Sequence, residues 1–380
     1  MATQLRGAPA PHQRASRRPP RRVDVGVSTL VALVPAHNEE AGIAAAVQSL
    51  QAQGRRPDRV VVVADSCTDR TAQVAAEQGA EVWVTVDNEH QKAGALNQAL
   101  RLLLTTLDDD AFVLVTDADS TLVPEFLDTA LAEFADPNVG AVGGVFHGEP
   151  GGGLPGLLQR MEYTRYAREL SRHDHVWVLT GTATLHRASV LRLVAAARGA
   201  GLPGLRGDVY DRAALTEDME ITLAIKALGY RVSSPPRCKV VTEVMPTWSA
   251  LFRQRLRWQR GAVENLRTYG ASRLTAPYLF QQGLMAVGML AMGLYLVYMV
   301  WWLAGPGLEP SGFWLSVGAV FLVERLVTVW RMGWRQRAVA AVMLVEWVYD
   351  LFLQSVVIRA AFDFLLHRPT VWHHASVEGR

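Results

Sequence analysis

Short runs of valine, alanine and leucine alternate with longer segments of helical spacing through the first two thirds of the chain. The runs lie at 29–34, 60–64, 81–86, 112–116 and 140–146. They are apolar at nearly every position rather than at every second one, as strands buried on both faces of a parallel sheet are. Between them, 39–53, 68–78 and 93–104 place apolar residues three and four apart, the stripe of an amphipathic helix. This alternation predicts a mostly parallel α/β sheet over 23–245. In such sheets ligands bind beyond the carboxyl ends of the strands, so the residues that follow each run are the candidates for chemistry.

The pattern changes after 273. No charged residue occurs between 274 and 308. About 20 apolar residues cross a bilayer as a helix, so 277–303 qualifies. Gly305-Pro306-Gly307 predicts a turn, and 313–330 is a second candidate carrying Glu324 and Arg325. The third, 338–366, carries Glu346, Asp350, Arg359 and Asp363, and either crosses or lies at the interface. The zone 274–366 is thus expected to hold two or three crossings, with interfacial helices over 246–273. Arg267 and Arg273 precede the first crossing, and Arg331, Arg335 and Arg337 follow the second. The positive-inside rule then puts the α/β domain in the cytoplasm of a multi-pass plasma-membrane protein. Residues 1–22 hold six arginines, four prolines and no acidic residue, and read as a disordered basic tail. Residues 367–380 form a C-terminal tail.

Composition narrows the classes. The 380 residues are 50% hydrophobic and 19% charged, with a net charge of +2, which excludes a disordered polymer. Two cysteines, Cys67 and Cys238, cannot build a disulfide framework or a four-thiolate zinc site, and the ten histidines lack zinc spacing. No Gly-x-Gly-x-x-Gly follows a strand, which argues against a dehydrogenase. Beyond the tail there is no basic face for nucleic acid. Only three of the 38 basic residues are lysine, so a lysine inside a motif is informative.

The run 112–116 leads into Asp117-Ala118-Asp119. Residues two apart on an extended chain point the same way, and paired carboxylates attract a hard cation; alone, this reads equally as a polar turn. Asp65 stands one step past the run 60–64, and the first run ends in Val34-Pro35-Ala36-His37-Asn38-Glu39, where Pro35 is expected to stop the ladder. Lys92 at a helix start works against the helix dipole unless a phosphate or carboxylate lies opposite. Thr216-Glu217-Asp218 opens a helix, where acidic residues are favoured anyway but also suit a general base. Gln254, Arg257 and Trp258 fall on one face of a helix beginning near Thr247. They offer an amide, a guanidinium and an indole together, or belong to a basic amphipathic helix lying on the membrane. The amphipathic segment 154–172, with Leu157, Leu158, Met161 and Tyr166, lies on the membrane or packs on the domain.

From about 27 to 270 these features resemble the membrane-bound family 2 glycosyltransferases with a GT-A fold. That group includes cellulose, chitin, hyaluronan and poly-N-acetylglucosamine synthases. The Val-Pro-Ala-x-Asn-Glu start, Asp-x-Asp, Thr-Glu-Asp and Gln-x-x-Arg-Trp stand in the family's order ahead of membrane helices. The resemblance implies an inverting transfer from a UDP-sugar, N-acetylglucosamine-type, to a hydroxyl. The acceptor would be a growing β-polysaccharide or, alternatively, a lipid carrier or protein. It also implies roles. Asp65 and the segment through Pro35, Ala36 and Glu39 would contact uridine, with Lys92 and Asp117 near the nucleotide. Asp119, with Asp117, would serve Mg²⁺ or Mn²⁺. Asp218 would be the base, beside Glu217. Gln254 and Arg257 would hold the diphosphate, while Trp258, Gly181 and Thr182 would face the acceptor. Trp372-His373-His374 is loosely similar to a gating segment of some members. Glu346 and Asp350 share a helix face that lines a sugar path or faces water. The chain departs from the family at His37, where tyrosine is usual, at Ala64 in place of the first of an Asp pair, and at Ser66-Cys67 in place of Gly-Ser.

Overall fold

The first strand, β1 (Leu30–Ala36), is buried along its whole length. Its odd-numbered residues Val31 and Leu33 point into one apolar cluster, and Leu30, Ala32 and Val34 point into another on the opposite face. A strand covered on both faces belongs at the centre of a sheet, and β1 lies there. In the computed structural model, which describes residues 28–172, 176–305 and 312–368, chain order runs as follows. After β1 come α1 (Ile43–Gln51), β2 (Arg59–Ala64), α2 (Thr71–Glu77), β3 (Glu81–Val84), α3 (Gln91–Thr106), β4 (Phe112–Thr116), β5 (Thr121–Leu122) and α4 (Phe126–Glu133). Then follow β6 (Val139–Gly143), β7 (Val145–Gly148), α5 (Gly153–Arg172), β8 (Ala183–Arg187), α6 (Ala188–Ala197), α7 (Glu217–Ala227), β9 (Arg231–Ser233) and β10 (Lys239–Thr242). Helices α8 (Trp248–Tyr269), α9 (Ala276–Leu303), α10 (Gly312–Val329), α11 (Trp334–Ala341) and α12 (Leu344–Leu365) complete the chain.

Seven strands form the main sheet in the order β3-β2-β1-β4-β8-β6-β9, all parallel to their neighbours except β8. The expected mostly parallel α/β sheet is therefore present. Helices α3, α6 and α7 cover one face through Leu96, Leu191 and Ile221, and α1 and α4 cover the other through Val47 and Leu127.

Two expectations change. The ladder does not stop at Pro35, because Pro35 and Ala36 still pair with Val63 and Ala64 of β2. On the β4 side pairing ends at Leu33, so the missing proline N–H falls where no partner strand asks for it. The run 140–146 is two strands rather than one. Residues β6 belong to the main sheet, while β7 joins β5 and β10 in a second, three-stranded sheet. The switch is at Gly144, where a Cβ would lie 2.5 Å from Val240 Cγ2.

Of the expected two or three crossings, the described residues offer one by length and composition, or two if a bent pair is a single span. Among the described residues, one helix, spanning Ala276–Tyr298, is long and apolar enough to cross a bilayer by itself. From 279 to 294 none of its residues is buried against protein. The expected third helix is α11 and α12, bent by 79°, and passes the same test only as a pair. Two of its charges are engaged by other elements of the fold. Glu346 is 1% exposed and binds Arg165 of α5 and Arg325 of α10, and Arg325 also binds Asp350 at 2.9 Å. The basic tail 1–22, Pro306-Gly307 of the expected turn, and Trp372-His373-His374 lie outside the described residues.

Candidate active site

Three parallel strands, β1, β2 and β4, end side by side, which brings Ala36, Asp65 and Asp117 to one edge. Strand β8 runs antiparallel beside β4, with Ala183 opposite Thr116. Its amino end therefore arrives at the carboxyl edge of the others and carries Gly181 and Thr182 with it. The Thr182 carbonyl accepts from the Asp117 amide at 3.1 Å and the Thr116 hydroxyl at 2.8 Å.

The first turn of α7 closes on the same place. Asn265 of α8 donates to the carbonyl and hydroxyl oxygens of Thr216, both at 3.1 Å, and fixes the start of α7. Gly261 lets the two helices approach, since a Cβ there would meet Thr216 Oγ1 at 2.6 Å. Farther along, Glu220 is locked in a buried pair with Arg198, at 2.5 and 2.7 Å, and accepts from Tyr269 at 2.6 Å. With Glu220 held, α7 presents Glu217 and Asp218 toward the strand ends.

Lys92 joins the groups. Its Nζ lies 2.6 Å from Asp117 and 2.8 Å from Glu217. Two carboxylates thus lie opposite the lysine at the start of α3. A Cβ placed on Gly181 would be 3.4 Å from both Lys92 Nζ and Asp218 Oδ2. Burial works against the ammonium, but Asp117 and Glu217 hold the Lys92 pKa well above its ordinary value. Burial also opposes ionisation of Glu217, yet Lys92 and Arg257 outweigh it and keep that pKa low. Asp218 is pushed up to about 6, by burial first and by Glu217 next, with Lys92 opposing. Burial raises Asp117 to about 6 against the pull of Lys92. The outcome is two adjacent carboxylates of different character, one firmly ionised and one poised near neutrality, an arrangement suited to general base work.

Asp65 stands apart from this group. Its carboxylate accepts from Thr85 at 2.7 Å and Asn88 at 2.9 Å, and its carbonyl accepts from His37 Nδ1 at 2.6 Å. Glu39, Asp119 and Glu243 form a second acidic group. Burial, then Asp119 and Glu243, push Glu39 up to about 8. On α8, capped by the Thr247 hydroxyl, Arg257 donates to the Leu215 carbonyl at 3.4 Å and reaches Glu217 and Asp218 electrostatically. The Gln254 Oε1 atom is buried without a partner among the described residues. Trp258 lies under the Arg255 guanidinium at 4.1 Å.

A family model described as glycosyltransferase like family 2 matches residues 28–261. The chain belongs to glycosyltransferase family 2. Among curated relatives, this glycosyltransferase is 24% identical over 242 residues to a poly-β-1,6-N-acetyl-D-glucosamine synthase of Staphylococcus aureus, covering 62% of this chain and 54% of the relative. A synthase of the same name from Staphylococcus epidermidis is 23% identical over 249 residues, covering 63% and 55%. The chain thus spans about half the length of the curated relatives it matches. Among solved structures, a mannosyltransferase from Pyrobaculum calidifontis in complex with GDP-Man and Mn²⁺ is 20% identical, with a TM-score of 0.55 and 92% of each chain covered. The fold is GT-A, and the enzyme is a transferase.

The residues present fit a divalent cation in one specific way. Among the described residues no group of three or more His, Cys, Asp or Glu is arranged to hold a metal. Asp117 is already engaged by Lys92. Asp119 accepts one bond, from Ser120 at 2.9 Å, and burial raises its pKa. A single hard carboxylate suits Mg²⁺ or Mn²⁺ where substrate phosphates supply further oxygens.

Several contributors escaped the sequence reading. Thr85 and Asn88 hold Asp65, and their signal was their place at the end of the run 81–86 and just past it. Glu243 follows β10 by one residue, the same signal that marked Asp65, but the short strand 239–242 was not read. Tyr166 of α5 faces the site: burial and then Asp218 push its phenol up to about 12. Tyr163 and Tyr166 both pack on Phe146, at 4.6 and 5.3 Å between ring centroids. The segment 154–172 therefore packs on the domain.

Proposed function

We propose that the enzyme transfers an N-acetylglucosamine-type sugar from a UDP-sugar to a hydroxyl, with inversion, as a processive β-polysaccharide synthase at the membrane. The observation that carries this reading is the meeting of Asp218, Glu217, Lys92 and Asp117 around Gly181 at the carboxyl edge of the sheet. Family membership and the polymer-synthase relatives support the reaction class.

Asp218 takes the proton of the acceptor hydroxyl, whose oxygen attacks the anomeric carbon opposite the departing diphosphate. Glu217, held ionised by Lys92, keeps its own proton demand out of the step. Asp65, with the segment through Ala36 and Glu39, holds the nucleoside. Arg257, with Gln254, grips the diphosphate and stabilises charge growing on it, while Trp258, Gly181 and Thr182 seat the acceptor. Asp119 would hold Mg²⁺ or Mn²⁺, and the bound ion would supply charge neutralisation to the leaving diphosphate. Helix α9, apolar and with none of residues 279–294 buried, anchors the enzyme in lipid.

Asp218→Asn tests the assignment. Loss of the base is expected to reduce transfer about 100- to 10,000-fold, with UDP-sugar affinity unchanged. Turnover near that of the wild type refutes the role. Labelled donor followed by product sizing tests processivity: a ladder is expected, and a single added sugar replaces that reading with a one-step transfer.

A further inference from the structure

Within the Gln254–Trp258 stretch, the charged residue Arg255 has no part in the roles above. Arg255 is 7% exposed, and its guanidinium sits among aromatic rings. Its central carbon is 4.1 Å from the centre of the Trp258 ring and 5.6 Å from that of Tyr163. Nη2 donates to Glu162 Oε2 of α5 at 3.0 Å, whereas Nε and Nη1 are buried without a partner among the described residues. The same Glu162 oxygen accepts from the Tyr349 hydroxyl of α12 at 2.6 Å. Tyr349 is itself 3% exposed. A continuous chain of contacts therefore runs from α12 through α5 to the indole on α8. A second link ties the same two outer elements, since Glu346 of α12 binds Arg165 of α5 at 2.6 Å.

The chemistry of this chain is directional. A planar guanidinium stacks on an indole and is worth more there when water is excluded, as it is around Arg255. Nε and Nη1 have no hydrogen-bond partner among the described residues, so the guanidinium is held by Glu162 and by the rings of Trp258 and Tyr163. Glu162 is shared in turn with Tyr349. Displacing α12 moves the hydrogen bond that orients the guanidinium, and with it one face of Trp258.

We propose that Arg255 is a positioning residue that fixes the Trp258 indole for an acceptor sugar, and that Tyr349 of α12 sets Arg255 through Glu162. The inference rests on Trp258 belonging to the acceptor site. It makes the bilayer-side helix pair part of acceptor recognition rather than an anchor alone.

The test uses the full chain in detergent, with UDP-N-acetylglucosamine as donor and a β-1,6-linked N-acetylglucosamine pentasaccharide as acceptor. Arg255→Met removes the stacked plane and Tyr349→Phe removes only the hydroxyl. Arg255→Met is expected to raise the acceptor KM about fivefold or more, the factor that losing a contact of this class gives. Donor KM and acceptor-independent UDP release stay at wild-type values. Tyr349→Phe shifts acceptor KM the same way by a smaller factor, and remains informative should Arg255→Met fail to fold. Unchanged acceptor KM in the folded variants, or an equal rise in donor KM, overturns the proposal while leaving the transferase reading intact. A wild-type enzyme that releases UDP but never extends the pentasaccharide overturns the acceptor reading and this inference with it.

Discussion

Replacing Lys92 by methionine removes the one ammonium set among Asp117, Glu217 and Asp218, and its effect on the base can be worked out. Lys92 Nζ and Asp218 Oδ2 each lie 3.4 Å from the point where a Cβ on Gly181 would sit, so they are within about 7 Å of one another. At about 7 Å and an effective dielectric of about 20, a unit charge is worth about 2 kcal/mol. That corresponds to between one and two pH units on the Asp218 carboxyl. An opposing effect reduces it. Glu217 loses its partner at 2.8 Å, takes up a proton more readily, and then repels Asp218 less. The net expectation is a rise of about one unit, from about 6 toward 7. The sign follows from the role: a base acts only when ionised, so the rate falls as pH drops through its pKa. A raised pKa moves that fall to higher pH. The assay is UDP release with acceptor from pH 5 to 9, read as kcat/KM for wild type and Lys92→Met, with thermal unfolding as the check on folding. The acid limb should centre near pH 6 in the wild type and about one unit higher in the variant. A folded variant whose limb stays at or below pH 6 refutes the electrostatic coupling.

Further expectations concern separate parts of the molecule. Asp65→Ala strips Thr85 and Asn88 of their acceptor and should raise donor KM about tenfold, the cost of one charge-assisted contact; an unchanged donor KM removes Asp65 from the nucleotide site. Gly144→Ala drives a Cβ into Val240 Cγ2 at 2.5 Å and Phe126 Cε2 at 3.2 Å, and should cost about 1–3 kcal/mol. A thermal midpoint equal to the wild type's would show that the two sheets part elsewhere. Glu346→Gln leaves Arg165 and Arg325 without their shared buried carboxylate and should cost about 3–5 kcal/mol. Unfolding of the detergent-solubilised protein at an unchanged temperature contradicts that pairing.

Strand ends could be read directly because a strand buried on both faces advertises itself as an uninterrupted apolar run, and the next polar residue marks its end. Asp65, Asp117 and Asp119 came out this way. Lys92 came out through rarity and helix-dipole conflict, which two carboxylates resolve. The division of 140–146 had no such mark. Its residues are uniformly small or apolar, and what splits them is Val240, nearly a hundred positions later. Strand β8 was hidden for the same reason: an antiparallel insertion between β4 and β6 is a statement about partners, not about periodicity.

The C-terminal helices make the point more sharply. Hydropathy weighs each residue singly, so Glu324, Arg325, Glu346 and Asp350 count against their helices whether or not they meet one another. In the fold Arg325 answers both Glu346 and Asp350, and Arg165 of the α/β domain answers Glu346 again. Glu346 thereby joins α10 and α12 to α5. Helix α5 also supplies Glu162 to Arg255 and Tyr166 to the neighbourhood of Asp218. The ion pairs that seem to disqualify the helices from a bilayer are therefore what ties them to the elements around the catalytic carboxylates. A hydrophobicity count discards that connection, and only the three-dimensional pairing restores it.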